Sequence, residues 1–375
     1  MRAGRPGARK DAHHMQEPQN PVALVVGASG ITGGAIVRLL AERQGWTVHG
    51  LARRPGTPPA GTHVVAADLL DPEGLRAAVA DLRPTHVFFT SWSRRETETE
   101  NCAVNAAMLR HLFAALQPAG TVRHVALVTG LKHYLGPFEA YGTGDVPDTP
   151  FLEDAERLPG ENFYYSQEDE LFAAAKAQGF GWSVHRSHTV IGFAVGNAMN
   201  MALTLGAQAA ICREQGRPMV FPGSEAQWNG VSDVTDADLL AAHMVWAATT
   251  PAARNEAFNV VNGDVFRWRR LWPQIAAHLG VEAEGYAGEP RPLEAQMADA
   301  GPVWRAIAER EGLGEPDLAR VASWWHTDAD LGRPFEVFAD SGKSRALGFS
   351  SALRTGDAFL RTIDAYRDAG LLPRP

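Results

Sequence analysis

From Val22 to Arg186, short apolar and β-branched runs alternate with segments whose apolar residues recur at helical spacing. This alternation predicts a parallel sheet wrapped by helices. Val22–Val26, Thr47–Leu51, His63–Ala66, His86–Thr90, His124–Thr129 and Trp182–His185 read as strands. Ala35–Arg43, Pro72–Ala80, Asn101–Leu116 and Tyr164–Ala177 read as helices. The stretch 136–160 holds prolines and glycines without a clear period, and so long a loop in a compact domain is more often functional than accidental. After Gly192 the pattern shifts to helices at Asn197–Gln215, Asp236–Thr249 and Phe266–Leu279, with strands at Pro218–Phe221 and Phe258–Val261. The fold class is therefore α/β: a doubly wound parallel sheet over 21–192, with 226–262 returning to it. A smaller, mostly helical lobe for substrate, from 193–225 and 263–375, completes it.

The first twenty residues are polar and rich in glycine, proline and basic side chains. They read as a disordered extension, with Met15 as an alternative start. They lack the apolar stretch of a secretory signal. No later window holds about 18 continuous apolar residues, so no membrane span is expected. A net charge of −8 without a basic, aromatic-studded stripe argues against a nucleic-acid partner. The two cysteines, Cys102 and Cys212, are far apart in apolar helical contexts, which fits a reducing cytoplasm and neither a disulfide framework nor a metal site. Nothing in the pattern forces a dimer, and monomer and homodimer both stay open.

The first strand runs into Gly27-Ala28-Ser29-Gly30-Ile31-Thr32-Gly33, a G-x-x-G-x-x-G turn that opens a helix. Gly27 suits a tight turn, Gly30 lets backbone approach a pyrophosphate, and Gly33 lets helix and strand pack closely, as in Rossmann-like dinucleotide sites. The second strand ends in Arg53-Arg54, where an NAD site would place an acidic residue for the ribose 2′-hydroxyl. Two arginines instead suit a 2′-phosphate, so the expected cofactor is NADPH. Ser29 and Ile31 of the turn, Asp68 and Leu69, and Thr90, Thr129 and Val190 at later strand ends complete the expected cofactor contacts.

Only four lysines occur, Lys10, Lys132, Lys176 and Lys343, in a chain that otherwise uses arginine. Lys132 follows the fifth strand, where a compact ammonium does what a planar guanidinium cannot. None of the six tyrosines is followed four residues later by lysine, so the Tyr-x-x-x-Lys of ordinary short-chain reductases is absent. A tyrosine acid would need a lysine from elsewhere, because a phenol of pKa about 10 becomes a better donor beside an ammonium. Lys132 with Tyr164 of Asn162-Phe163-Tyr164-Tyr165 is the candidate pair. Spacing alone equally allows core aromatics and a loop charge.

Thr129-Gly130-Leu131-Lys132-His133-Tyr134-Leu135-Gly136-Pro137-Phe138-Glu139 and Asn162-Phe163-Tyr164-Tyr165-Ser166-Gln167-Glu168-Asp169 closely resemble the progesterone 5β-reductase/iridoid synthase-like family, atypical short-chain dehydrogenases/reductases. Glu100–Asn105, Trp182–Arg186, Ser232–Leu239 and Asn255–Phe266 extend the likeness, while Ser187 stands where the family usually has proline. The resemblance implies NADPH-dependent reduction of a C=C bond conjugated to a carbonyl, acting on a small-molecule enone or enal, with a steroid and a smaller substrate both left open. It places the catalytic lysine on Lys132, the tyrosine on Tyr164 and a pocket residue on Phe138. Trp92, Met199, Phe193 and Tyr165 are further pocket candidates, with Tyr165 more a packing residue than a second acid. His185-Arg186 at the end of the sixth strand could shape the nicotinamide pocket, and Trp228 and Trp324-Trp325 could stack on a flat ligand. The competing readings are a carbonyl reductase or epimerase on the same scaffold, and an NADPH-binding sensor without chemistry.

Overall fold

The computed structural model describes residues 20–56, 58–137, 148–197 and 199–375. Strands β1 (Val22–Val26), β2 (Thr47–Ala52), β3 (Thr62–Ala66), β4 (His86–Phe89), β5 (His124–Gly130) and β6 (Gly181–Ser187) join a late strand, Glu256–Val260, in one seven-stranded sheet. Every pairing in that sheet is parallel, and the late strand lies outside β6. The order runs from β1 through β2 to β3 on one side and from β1 through β4, β5 and β6 on the other. The winding therefore reverses at β1, and an open crevice forms above the carboxyl ends of the strands there.

Strand residues alternate between two apolar layers because successive side chains leave opposite faces of a strand. Ala23 and Val25 join Phe88, Ala126 and Phe258 under α1 (Ile31–Ala41) and the helix Ala237–Thr249. Leu24 and Val26 join Phe89, Val125 and Leu127 under α2 (Pro72–Val79), α3 (Glu98–Leu116) and α5 (Phe163–Gln178). Between β5 and α5 lies α4, the short turn Lys132–Leu135. A third apolar cluster belongs to the carboxyl-terminal part, where α6 (Met201–Glu214) packs with the buried Trp268, Trp272, Trp304, Phe359 and Tyr366.

Two helices start more than a single residue earlier than apolar spacing predicts. Helix α1 begins at Ile31 rather than Ala35, taking in Gly33 and Gly34 despite their poor helix propensity, because Ile31 and Gly33 are buried against the first strand. Helix α3 begins at Glu98 rather than Asn101, fixed by a capping box between Thr97 and Glu100. Conversely, Phe266 lies outside its expected helix, which runs Trp268–His278, because it pairs with Ser232 in an antiparallel bridge.

Candidate active site

A cavity of about 690 Å³ opens over the carboxyl ends of the strands. Its walls include Gly27, Ser29, Gly30, Ile31, Arg53, Asp68, Leu69, Thr90 and Trp92 on one side, with Thr129, Lys132, Tyr164, Val190 and Met199 farther along. Local constraint explains the glycine turn. Gly27 has φ of +87°, and a Cβ on Gly33 would stand 2.1 Å from the Gly27 carbonyl oxygen. Helix α1 opens on Gly30, which has no side chain to cap it, and its first turn carries no acid. Its amide N–H groups and positive dipole end therefore suit a phosphate.

Arg53 and Arg54 make no ion pair among the described residues. They line an adjoining pocket of about 990 Å³ with Arg38 and Arg320, and its described lining contains no carboxylate. Four arginines and no carboxylate in the described lining suit this pocket, beside the glycine turn, to an anion.

At the other end, β5 delivers Thr129 and Gly130, and α4 begins at once with Lys132. Lys132 is only 8% exposed, and its ammonium lies 4.8 Å from the centre of the Phe163 ring. Phe163 is stacked in turn on Trp92, with ring centres 5.6 Å apart. The hydroxyl of Tyr164 lies against Gly130, where a Cβ would come within 3.2 Å of it and 2.9 Å of the Ser187 carbonyl. Asn162 joins the two segments: its amide donates to the Lys132 carbonyl at 2.7 Å, while its side-chain oxygen caps α5 by accepting the Tyr164 N–H at 3.0 Å. The cap that starts the tyrosine's helix thus also holds the lysine's backbone. Thr129 adds a buried hydroxyl with no partner among the described residues, available to a bound group.

A polar latch lies behind this pair. The Tyr165 hydroxyl donates to the His133 carbonyl at 2.7 Å and accepts from the Leu158 N–H at 3.0 Å. Arg186 donates to the Tyr134 hydroxyl and to the Glu153 carbonyl, both at 3.0 Å. Glu168, four residues after Tyr164, is buried and paired with Arg157 at 2.8 Å. Burial pushes its carboxyl up, and Arg186 and Arg157 work against that rise.

Several expected pocket residues lie elsewhere. Tyr165 faces this latch, not the cavity, because both capacities of its hydroxyl are used there. Phe193 turns to the adjoining pocket and packs on Tyr366, with ring centres 4.9 Å apart. His185 is buried in the core against His243, so it does not shape the cavity, and Arg186 serves the latch. Trp228 packs on Phe221, and Trp325 carries the Arg94 guanidinium 4.1 Å from its ring centre. Phe138 falls outside the described residues.

The sequence reading missed one wall altogether. His188, Thr189, His326, Asp330 and Arg333 also line the cavity. They come from two segments about 140 residues apart and share no spacing signal. Histidines 188 and 326 are not in a motif, and only the fold brings them to one surface.

Comparison with known proteins gives the same outline. Residues 23–373 match the family model described as a PRISE-like Rossmann-fold domain. An (S)-8-oxocitronellyl enol synthase of Nepeta cataria is 40% identical over 98% of this chain and 97% of its own. A 3-oxo-Delta(4,5)-steroid 5-beta-reductase of Arabidopsis thaliana is 39% identical over 99% of each. Among solved structures, the NAD complex of UDP-glucose 4-epimerase from Thermus thermophilus aligns with a TM-score of 0.65 at 19% identity, covering 93% of this chain and 99% of that one. At that identity the likeness concerns the fold. The matches to the family model and to these relatives are nearly full-length, and the chain belongs to the PRISE-like Rossmann-fold family.

Proposed function

We propose that this protein reduces the C=C bond of α,β-unsaturated carbonyl compounds with NADPH. One observation carries the reading: Lys132 and Tyr164 stand in the wall of the same cavity as the glycine turn and Arg53. A nicotinamide cofactor bound there supplies the hydride. The glycine turn and the α1 amino end hold the pyrophosphate, and Arg53 and Arg54 hold the 2′-phosphate. Lys132 binds the ribose hydroxyls and lowers the proton affinity of the neighbouring phenol. Tyr164 donates a hydrogen bond to the carbonyl oxygen of the enone, where negative charge develops as the β-carbon is reduced. The enolate then takes its proton from solvent. Phe163 and Trp92 give Lys132 an apolar surround that strengthens each of these interactions. In this reading the residues 193–225 and 263–375 form the substrate lobe.

The names of the relatives agree with this chemistry, since one specifies reduction of a 3-oxo-Delta(4,5)-steroid. The test is direct. The protein is mixed with NADPH and a panel of cyclic and linear enones and enals, and products are identified by mass and NMR. Ketones or aldehydes saturated at the former alkene support the proposal. Allylic alcohols would make the protein a carbonyl reductase, and NADPH binding without turnover would make it a sensor.

A further inference from the structure

The wall formed by His188, Thr189, Asp330 and Arg333 carries a buried charge network. His188 and Thr189 continue directly from β6, while Asp330 and Arg333 come from the end of helix Trp324–Leu331 and the turn after it. Arg333 donates from Nη1 to Nε2 of His188 at 2.8 Å, and its Nη2 pairs with Asp330. Nδ1 of His188 is 2.6 Å from Asp233, and Thr189 donates its hydroxyl to Asp330 at 2.8 Å. Asp233 also accepts the N–H of Ala339 at 2.8 Å. His188, Asp233, Asp330 and Arg333 are all buried.

The donor inventory fixes the charges. A guanidinium only donates, so Nε2 of His188 must accept, and its one proton is on Nδ1, donated to Asp233. A cationic His188 would set two donors against each other. Asp233 and Asp330 accept two hydrogen bonds each, and although burial opposes the charge of Asp330, the Arg333 guanidinium leads the interactions that outweigh it and hold that carboxyl below its usual range. Two carboxylates, one guanidinium and a neutral imidazole leave one net negative charge in a largely buried part of the cavity wall.

Its place in the fold gives that charge a target. In a doubly wound sheet a dinucleotide lies across the carboxyl ends of the strands. Here the glycine turn and Arg53 mark the adenosine end, and the ends of β5 and β6 mark the nicotinamide end. His188 and Thr189 are the first residues beyond β6. The oxidised nicotinamide ring carries one more positive charge than the reduced ring.

We propose that the Asp233–His188–Arg333–Asp330 network is an electrostatic element that favours the oxidised over the reduced coenzyme. It thereby makes transfer of hydride out of this site more favourable. The inference rests on the NADPH reading above and assigns a role to residues that reading does not use. The four side chains act through their field and not by contact with substrate.

The experiment is a pair of equilibrium titrations, NADP⁺ and NADPH against the full chain, followed by calorimetry or by tryptophan fluorescence. Asp330→Asn keeps the shape and removes one charge. It should raise the Kd for NADP⁺ about tenfold, a loss of about 1.4 kcal/mol, with the Kd for NADPH changed less than about twofold. Asp233→Asn should do the same, so the proposal stays testable should either variant fail to fold. Thr189→Val removes a hydrogen bond but no charge, and should leave the ratio of the two constants unchanged. A ratio unmoved by both Asp→Asn changes, or moved as much by Thr189→Val, would reduce the network to a structural latch and overturn the proposal. Failure of the wild-type chain to bind either coenzyme would defeat the reductase reading itself, and this inference with it.

Discussion

The two ends of the cavity are built differently. The end proposed for adenosine comes from neighbours in sequence: the glycine turn at 27–33 and Arg53-Arg54 directly follow the first two strands, which pair in parallel. The end proposed for the nicotinamide gathers Thr129 from β5, Lys132 from α4, Tyr164 from α5, His188 from just beyond β6 and Arg333 from the far carboxyl-terminal part. A local site depends on backbone shape, and its residues read out as a motif. An assembled site depends on the register of several elements, and its residues are individually unremarkable until folded. The first kind should fail through binding and the second through turnover.

The sharpest test of that division is Tyr164→Phe. Loss of one donor aimed at a developing oxyanion typically costs a factor of about 10² to 10³ in kcat. NADPH affinity should stay within about twofold, because the glycine turn and the arginines are untouched. Lys132→Met should damage both, since in the proposed reading the ammonium serves ribose and phenol together. Steady-state kinetics with a coenzyme titration decides it, and an unimpaired Lys132→Met would remove that residue from the mechanism.

At the local end the expected effects are on binding. Gly33→Val puts a side chain 2.1 Å from the Gly27 oxygen, a contact that only backbone movement can relieve. NADPH binding should weaken by at least about tenfold, with a fall in melting temperature. The double change Arg53→Ser with Arg54→Ser should weaken NADPH by about 20-fold and leave NADH nearly unchanged. Equal losses for both coenzymes would detach the arginines from the 2′-phosphate.

The same division decides how much could be read in advance. The β-branched runs and the glycine turn declared the sheet and its crevice, because burial of alternate strand faces and a positive φ each leave a mark on residue type. Boundaries were missed where a local device overruled apolar spacing, as with the Thr97–Glu100 capping box, a signal present in the sequence and left unused. Phe193 and Tyr165 were misplaced because an aromatic beside a site looks the same whether it faces ligand or core. The His188–Arg333 wall had no signal at all, since only tertiary packing joins positions so far apart.

Away from both ends, a buried chain of hydrogen bonds ties the sheet to its covering helices. It runs from His124 to Ser183 at 2.9 Å, to His185 at 2.9 Å, to His243 at 3.0 Å and to Ser344 at 2.8 Å. Burial lowers His124 and His243 from 6.5 to about 3, and holds His185 well below its ordinary value. The unfolded chain takes up these protons near pH 6.5, whereas in the folded chain His124 and His243 take theirs up only near pH 3 and His185 likewise only far below 6.5. Between those values the unfolded state binds more protons, so stability falls as pH falls, by about 1.4 kcal/mol per pH unit for each histidine. Urea unfolding midpoints should therefore drop steeply from pH 6.5 to 5 and change little from 7 to 8. A flat profile across the acid range would show that these histidines are already protonated in the fold.

The smallest effect belongs to the residue beside the most important one. Tyr164 and Tyr165 are consecutive on α5, yet the first lines the cavity and the second is committed to the latch. Tyr165→Phe strips a donor from the His133 carbonyl and an acceptor from the Leu158 N–H, so it should cost about 1–3 kcal/mol of stability. Because His133 follows Lys132 directly, the lost bond loosens the segment carrying the lysine, and KM for NADPH should rise by no more than about threefold. Turnover should hold within about twofold, because no group aimed at substrate is removed. Chemical denaturation and kinetics on the same preparation separate the two. A Tyr165→Phe enzyme as slow as Tyr164→Phe would exchange the roles of the pair, and the helix phase that α5 takes from its Asn162 cap would then be the part of the site to redraw.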